Sequence, residues 1–541
     1  MGPKTLPVAL NITRGLEGWV RTWCICILIL GLLVILLTFS DYGVTWDESV
    51  HSRYGELVVE YFRSGLRDTR ANSFVDMKYY GPLFDMAAAL IYQFNPVAKY
   101  EIRHFLIALL ALLAIPGVIK YGHLFDDPYV PFFSSLILIL LPRFYGHAFN
   151  NPKDIPFACF FVWSMFLMAR LFKAGVYRWK DFLACGALIG ITLSIRPGGL
   201  PILLFYFLAG LALTISMDAT FKGRKLTDKA NWLFLLQGIS LFSVAWIIMV
   251  SLWPWAHENI LLNPLRAMSV AASFIQSYPV LFEGKVFPSN ELPGYYPIKY
   301  LWVTTPPAVI FFAIVGMILC GKKMLQDFQS PSAVVCSITL LWFWFPIIYF
   351  FFRRPNVYDE IRHFLFILPA LAVLAGIGAA GLLRIARAGK LQRLIFPVLV
   401  FVLLIPVKDL FELHPYQMTY FNFLAGGVAR ASREYETDYW VSSYKEAMQW
   451  VNRQREAFPG RKIVVLVAAN GYSFACADYY RAPEAELRAI FEGGIQGPLP
   501  KMFDFYIATT RYGFDRNFPE APVVHTVGRK GAVFTVVKGR R

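Results

Sequence analysis

Between residues 22 and 410 the chain is a succession of long apolar runs separated by short polar segments; beyond that point the pattern turns polar and stays so. A helix that crosses the hydrocarbon core of a bilayer takes ~20 mostly apolar residues. Runs of that kind fall at 22–40, 104–122, 128–145, 156–173, 181–195, 199–217, 233–252, 301–320, 333–352, 364–383 and 394–410, which predicts about eleven spans. Two other segments are amphipathic instead. Val50, Tyr54, Leu57, Val58, Tyr61 and Phe62 recur at helical spacing with polar residues between them, as in a helix lying in the interface, and 260–282 reads the same way. The apolar stretch 81–96 is short and contains Asp85, so it is read as interfacial. In the tail, 444–458 and 484–491 predict helices, 462–469 and 504–509 predict strands, and 523–537 predicts a hairpin turning at Arg529-Lys530-Gly531. The expected architecture is an α-helical polytopic membrane domain over 1–410 and a small α/β domain over 411–541.

Composition agrees: 57% of residues are hydrophobic and 16% charged, with mean hydropathy +0.49, against about 25% charged in soluble proteins. The net charge of +16 does not imply nucleic acid, because the Lys and Arg residues gather in short loops between apolar runs. Placing Lys4, Arg14 and Arg21 in the cytoplasm, with 81–96 not spanning, brings four basic loops inside. These are the loops of Lys173, Arg178 and Lys180, of Lys222, Arg224, Lys225 and Lys229, of Lys322 and Lys323, and of Arg384, Arg387, Lys390 and Arg393. The long loops 41–103 and 253–300 and the tail then face outward from the cytoplasmic (inner) membrane. The first run ends in Thr38-Phe39-Ser40 without a small-x-small cleavage pattern and is read as a retained helix. Six of the seven cysteines lie in or beside apolar runs, so no disulfide framework is expected.

Ionisable residues are nearly absent from the middles of the runs and collect at their outer ends. Among them are Asp47, Glu48, Lys78, Arg143, His147, Lys153, Asp154, Arg196, Asp359, Glu360, Arg362 and His363. An interfacial carboxylate such as Asp47 can serve as a general base toward a hydroxyl; it is also a good helix N-cap. Asp154, with Pro156 two residues on, opens a helix and reads equally as a cap. Arg143, His147 and Lys153 precede it and could face a phosphate. Arg196 in Ser194-Ile195-Arg196-Pro197-Gly198-Gly199 suits phosphate contact at a Gly-rich turn, or is a snorkelling arginine. No Asp-x-Asp triplet, no P-loop and no zinc-type Cys/His spacing occurs.

In order along the chain, the acidic pair Asp47-Glu48, the Gly81-Pro82-Leu83 element, Asp154, Arg196, the aromatic segment with Tyr295-Tyr296-Pro297, and Arg362-His363-Phe364 with Leu368-Pro369 resemble the GT-C glycosyltransferases. The likeness is to the protein O-mannosyltransferase and lipid A aminoarabinose transferase family, in a bacterial branch, and covers most of 20–410. The resemblance implies inverting transfer of a sugar from a polyprenyl-phosphate carrier to an acceptor hydroxyl on a lipid, glycan or protein, at the outer face of the cytoplasmic membrane. It implies that Asp47 is the base, with Glu48 the other carboxylate of the pair. Arg196 and Arg362 would contact the lipid phosphate, beside Lys153, His363 and Tyr296. Asp154 would order the site, with a divalent metal left open and no other cofactor called for. The segment Lys78-Tyr79-Tyr80-Gly81-Pro82 departs from the family's Lys-Pro-Pro form. The alternative is a transporter or flippase of lipid-linked precursors, which usually keeps ionisable groups near the midplane.

Overall fold

The computed structural model describes residues 18–174, 178–217, 229–272, 277–327, 330–385, 392–468, 473–490 and 503–539. The basic positions at 222–225 and at 387 and 390, together with Lys4 and Arg14, lie outside the described residues. The first part of the chain is helical: α1 Gly18–Thr38, α2 Trp46–Arg63, α3 Leu83–Tyr92, α4 Lys99–Gly122, α5 Tyr129–Leu140, α6 Pro142–Asn150, α7 Asp154–Ala174, α8 Trp179–Leu193 and α9 Leu200–Met217. Helices Lys229–Ser251, Pro307–Gln326, Pro331–Arg353, Leu368–Ile385 and Gln392–Leu404 follow. Among the described residues eight helical segments are long and apolar enough to cross a membrane, or nine if α5 and α6 are one bent span. The segments predicted as spans at 181–195 and 199–217 are helical, as the 15-residue α8 and the 18-residue α9, but neither is among those eight.

Two predicted spans are interrupted, both at proline. The run 128–145 turns by 62° between α5 and α6, where Leu141, ahead of Pro142, is extended. The run 301–320 is divided into Tyr296–Thr304 and Pro307–Gln326 by Thr305 and Pro306, both with extended ψ. Steric pressure from a proline ring drives the preceding residue out of the helical region, and Pro306-Pro307 does so twice. The interfacial reading of 81–96 fits the ten-residue α3, which is too short to span. The segment 260–282 departs from expectation: it contains the helix Leu262–Ala272, but the β1 (Pro279–Phe282) and β2 (Lys285–Pro288) hairpin takes its end.

At the centre, Leu368–Ile385 is buried along nearly its whole length between α5 and Pro307–Gln326. Its small residues allow this approach: a Cβ on Gly378 would lie 1.9 Å from the Phe312 carbonyl oxygen. Close backbone packing of this kind replaces the hydrophobic effect as the force between helices in lipid. At the periphery, α1 and Gln392–Leu404 present Leu37 and Phe401 outward.

The tail forms a five-stranded sheet in the order β4-β3-β5-β7-β6, from β3 Ile463–Ala468, β4 Ala485–Ile490, β5 Phe505–Thr509, β6 Val523–Arg529 and β7 Ala532–Gly539. β3 runs parallel to β4 and β5; β7 is antiparallel to β5 and β6. The helix Tyr444–Arg453 seats Tyr444, Ala447, Met448 and Val451 on Val465, Val467, Phe505 and Ile507. The β6–β7 turn has φ +51° at Lys530 and +82° at Gly531, as a two-residue hairpin loop requires. The helix expected at 484–491 is instead the strand β4. Its Ala, Glu, Leu and Arg favour helix, but helix propensity is a weak prior, and pairing along the whole of β3 overrides it.

Candidate active site

Four separate pieces of chain bring charge to one place. The first is the start of α2. Thr45, with extended backbone, is its N-cap, and Glu48 Oε2 accepts from the Thr45 amide at 2.9 Å, the return bond of a capping box. Glu48 is fully buried and also meets His104 Nε2 at 3.1 Å. The cap role considered for Asp47 therefore falls to its neighbours, and Asp47, in the first turn, points elsewhere. Below α2, Asp85 of α3 lies 2.6 Å from both His51 Nδ1 and Arg103 Nη2, anchoring the helix with buried charge.

The second piece is the start of α7. Asn151 accepts from the Asp154 amide at 2.9 Å, and its Nδ2 donates to Asp154 Oδ2 at 3.0 Å. Lys153 Nζ then reaches Asp47 Oδ2 at 2.9 Å. The third is the turn after α8, where Arg196 pairs with Asp154. That turn lies against 81–83: a Cβ on Gly81 would meet the Ser194 carbonyl oxygen at 2.2 Å, and the Leu83 amide donates to that oxygen at 3.0 Å. The fourth is the segment before Leu368–Ile385, in which Arg362 Nη2 lies 3.0 Å from Asp359 Oδ2.

Arg362 is the hub. Its Nη1 is 3.7 Å from both Asp47 Oδ2 and Asp154 Oδ2, beyond hydrogen-bond reach. Among the described residues neither that nitrogen nor Arg362 Nε nor Arg196 Nε has a hydrogen-bond partner. The guanidinium lies 4.7 Å over the Tyr358 ring and 5.4 Å from the Trp440 ring. Burial would raise the carboxyl pKa of Asp47, but Lys153 and then Arg362 outweigh it and hold it well below the usual carboxylate range. Its side chain keeps about a fifth of its surface exposed (21%), against 1% for Arg362.

Of the residues singled out by sequence, Asp47, Lys153, Asp154, Arg196 and Arg362 converge. His363 is adjacent, with its ring edge-on to Tyr358 at 5.1 Å. Glu48 and Tyr296 are not in the cluster: Glu48 turns inward, and Tyr296 donates to the Glu360 carbonyl at 3.3 Å. Lys78 stacks over Tyr79 and Trp255 instead of joining it. No group of three His, Cys, Asp or Glu residues among those described is spaced to hold a metal ion. With Arg196 and Asn151 on its two oxygens, Asp154 does not fit a divalent ion; the positive charge here belongs to Lys and Arg. The sequence pattern does not mark Asn151 as the residue that orients Asp154, nor Arg511 of the tail, which reaches Asp359.

No protein-family model and no curated protein matches the chain. Among solved structures it is similar to ArnT from Cupriavidus metallidurans in the apo state, at 14% identity and TM-score 0.48, covering 96% of this chain and 98% of that one. It is also similar to the archaeal oligosaccharyltransferase AglB from Archaeoglobus fulgidus in complex with an inhibitory peptide and a dolichol-phosphate, at 13% identity and TM-score 0.49, covering 87% of this chain. The same archaeal enzyme tethered with an acceptor peptide matches at 14% identity and TM-score 0.47; this chain spans 64% of its length. All three similarities are at low identity and at TM-scores below 0.5. The polytopic helical architecture with a small C-terminal α/β unit is the one expected from the pattern of apolar and polar positions along the chain.

Proposed function

We propose that the chain is an inverting glycosyltransferase that moves a sugar from a polyprenyl-phosphate donor to an acceptor hydroxyl at the outer face of the cytoplasmic membrane. One observation carries the reading: a partly exposed carboxylate, Asp47, sits 3.7 Å from Arg362 Nη1, which has no hydrogen-bond partner among the described residues, and Arg196, paired with Asp154 in the same cluster, leaves its Nε likewise without one. Those are the two tools that the reaction needs. The acceptor oxygen attacks the anomeric carbon, the bond from that carbon to the phosphate oxygen breaks, and the acceptor proton passes to Asp47. The leaving phosphate has a second pKa of about 6 and needs no general acid, unlike the alcohol expelled in glycoside hydrolysis.

Charge on the phosphate grows as the bond breaks, so Arg362, Arg196 and Lys153 bind the transition state more tightly than the donor. One such contact is commonly worth about 3–4 kcal/mol. The same cations restrain the base. Lys153 and Arg362 are partners of Asp47, and a phosphate that draws them away raises the basicity of its carboxylate when the acceptor must be deprotonated. Single displacement on one face gives inversion.

The reading is tested by following purified protein in nanodiscs with polyprenyl-phosphate sugars, and by mass spectrometry of lipids from a deletion strain. Accumulation of a lipid-linked sugar in the strain is expected. Unchanged lipids together with no sugar release in vitro would remove the assignment. The side of the membrane is tested separately: a reporter active only outside the cytoplasm should work after Arg541 and fail after Lys225.

A further inference from the structure

Arg511 follows β5 in the C-terminal sheet, yet its side chain is buried against the membrane-domain site. Its Nη2 donates to Asp359 Oδ1 at 2.8 Å, its Nη1 donates to the Tyr439 carbonyl at 2.7 Å, and its Nε lies 3.0 Å from Glu436 Oε1. The guanidinium stacks 4.7 Å over the ring of Trp46, the residue just before Asp47. Asp359 in turn faces Arg362 through its other oxygen. The backbone that carries this link is strained: Asp359 and Glu360 are consecutive non-glycine residues at φ +57° and +61°. Residues held in the left-handed region cost free energy and persist only where their surroundings fix them. On Asp359 the fixing group is Arg511; on Glu360 it is Arg143.

We propose that Arg511 is a positioning residue for Arg362, so that the C-terminal sheet forms part of the transfer site. The proposal rests on the reading of Arg362 as a phosphate contact. Arg511 touches no reacting atom; it holds Asp359, Asp359 orients the Arg362 guanidinium, and the Trp46 stack ties the same side chain to the start of α2. A planar fork is required, because one lysine ammonium cannot hold Asp359, Glu436 and the Tyr439 carbonyl in the same way.

Two measurements on the full chain in nanodiscs test it. Hydrogen exchange of 358–364 should rise in Arg511→Ala while that of 505–509 stays unchanged, with Arg511→Lys intermediate. Binding of undecaprenyl phosphate should weaken roughly tenfold in Arg511→Ala, and Arg511→Ala added to Arg362→Ala should weaken it no further, since residues acting through one contact are non-additive. Unchanged exchange at 358–364, or additive losses, would overturn the proposal. If Arg511→Ala does not fold, the exchange of Arg511→Lys decides. If the wild type does not bind undecaprenyl phosphate, the transferase reading fails, and the exchange data still decide whether Arg511 positions Arg362.

Discussion

Lys153 Nζ lies 2.9 Å from Asp47 Oδ2, so the carboxylate proposed as base is paired with a cation proposed as part of the phosphate clamp. Lys153 and Arg362 hold the Asp47 pKa below the usual carboxylate range, and a general base acts in its ionised form. Removing Lys153 takes away a charge that favours that form, so the pKa rises. In Lys153→Gln the acid limb of the kcat/KM profile should move toward higher pH. A limb that stays in place or moves down shows that Asp47 is not the group that titrates.

Arg196 meets the site through Asp154 and leaves its Nε without a hydrogen-bond partner among the described residues. Arg196→Ala should raise KM for the donor by about tenfold or more while leaving acceptor KM near its starting value, and Arg196→Lys should keep part of the function. A guanidinium binds two phosphate oxygens at once where an ammonium offers a point charge. Normal donor kinetics in the alanine variant would take Arg196 out of the clamp.

Burial pushes the Glu436 carboxyl up to about 7, with Asp359 adding to it and Arg511 opposing. A raised folded-state pKa means that the native chain holds a proton that the unfolded chain has released. Its stabilising contribution is therefore complete below the unfolded value of about 4.3 and is lost as pH rises through about 7. The difference in thermal midpoint between wild type and Glu436→Gln should change between pH 4.5 and 7.5 and level off above. A difference that is flat across that window would show that Glu436 does not titrate there.

Much of the candidate site was legible in sequence because each cation and carboxylate sits at or near the end of an apolar run, where it stands out. Asp47, Lys153, Asp154, Arg196 and Arg362 were all visible in this way, though their convergence needed the fold. Glu48 carried its own signal: Thr45-Trp46-Asp47-Glu48 has the spacing of a capping box, and the i to i+3 bond is there. The break at Pro306 was likewise written in a Pro-Pro pair. Arg511 gave no signal, since its partner Asp359 is 152 residues away and neither residue belongs to a local pattern. The strand β4 was misread for a related reason. Its pairing with β3 is a contact across the tail, while its composition speaks only of local preference.

The sharpest prediction concerns Asp47→Asn. The structure removes one rival explanation in advance: Thr45 is the N-cap of α2 and Glu48 closes the box, so Asp47 is not needed to cap the helix. The substitution keeps size and hydrogen-bonding capacity but cannot take a proton at neutral pH. The variant should insert, retain its thermal midpoint within a few degrees and bind donor, yet lose transfer by ~10²–10⁴, the span of a general base. Loss of the Asp47–Lys153 pair frees a cation for the phosphate, so donor binding should be unchanged or tighter. Glu48→Gln is the matched control with a different expected outcome. Glu48 is buried on Thr45 and His104, away from the clamp, so its variant should lower the thermal midpoint more than it lowers turnover per folded molecule. If Asp47→Asn transfers sugar at a near-normal rate while Glu48→Gln folds well and is inactive, the base is Glu48, and the inward-facing geometry of its carboxylate must change during the reaction.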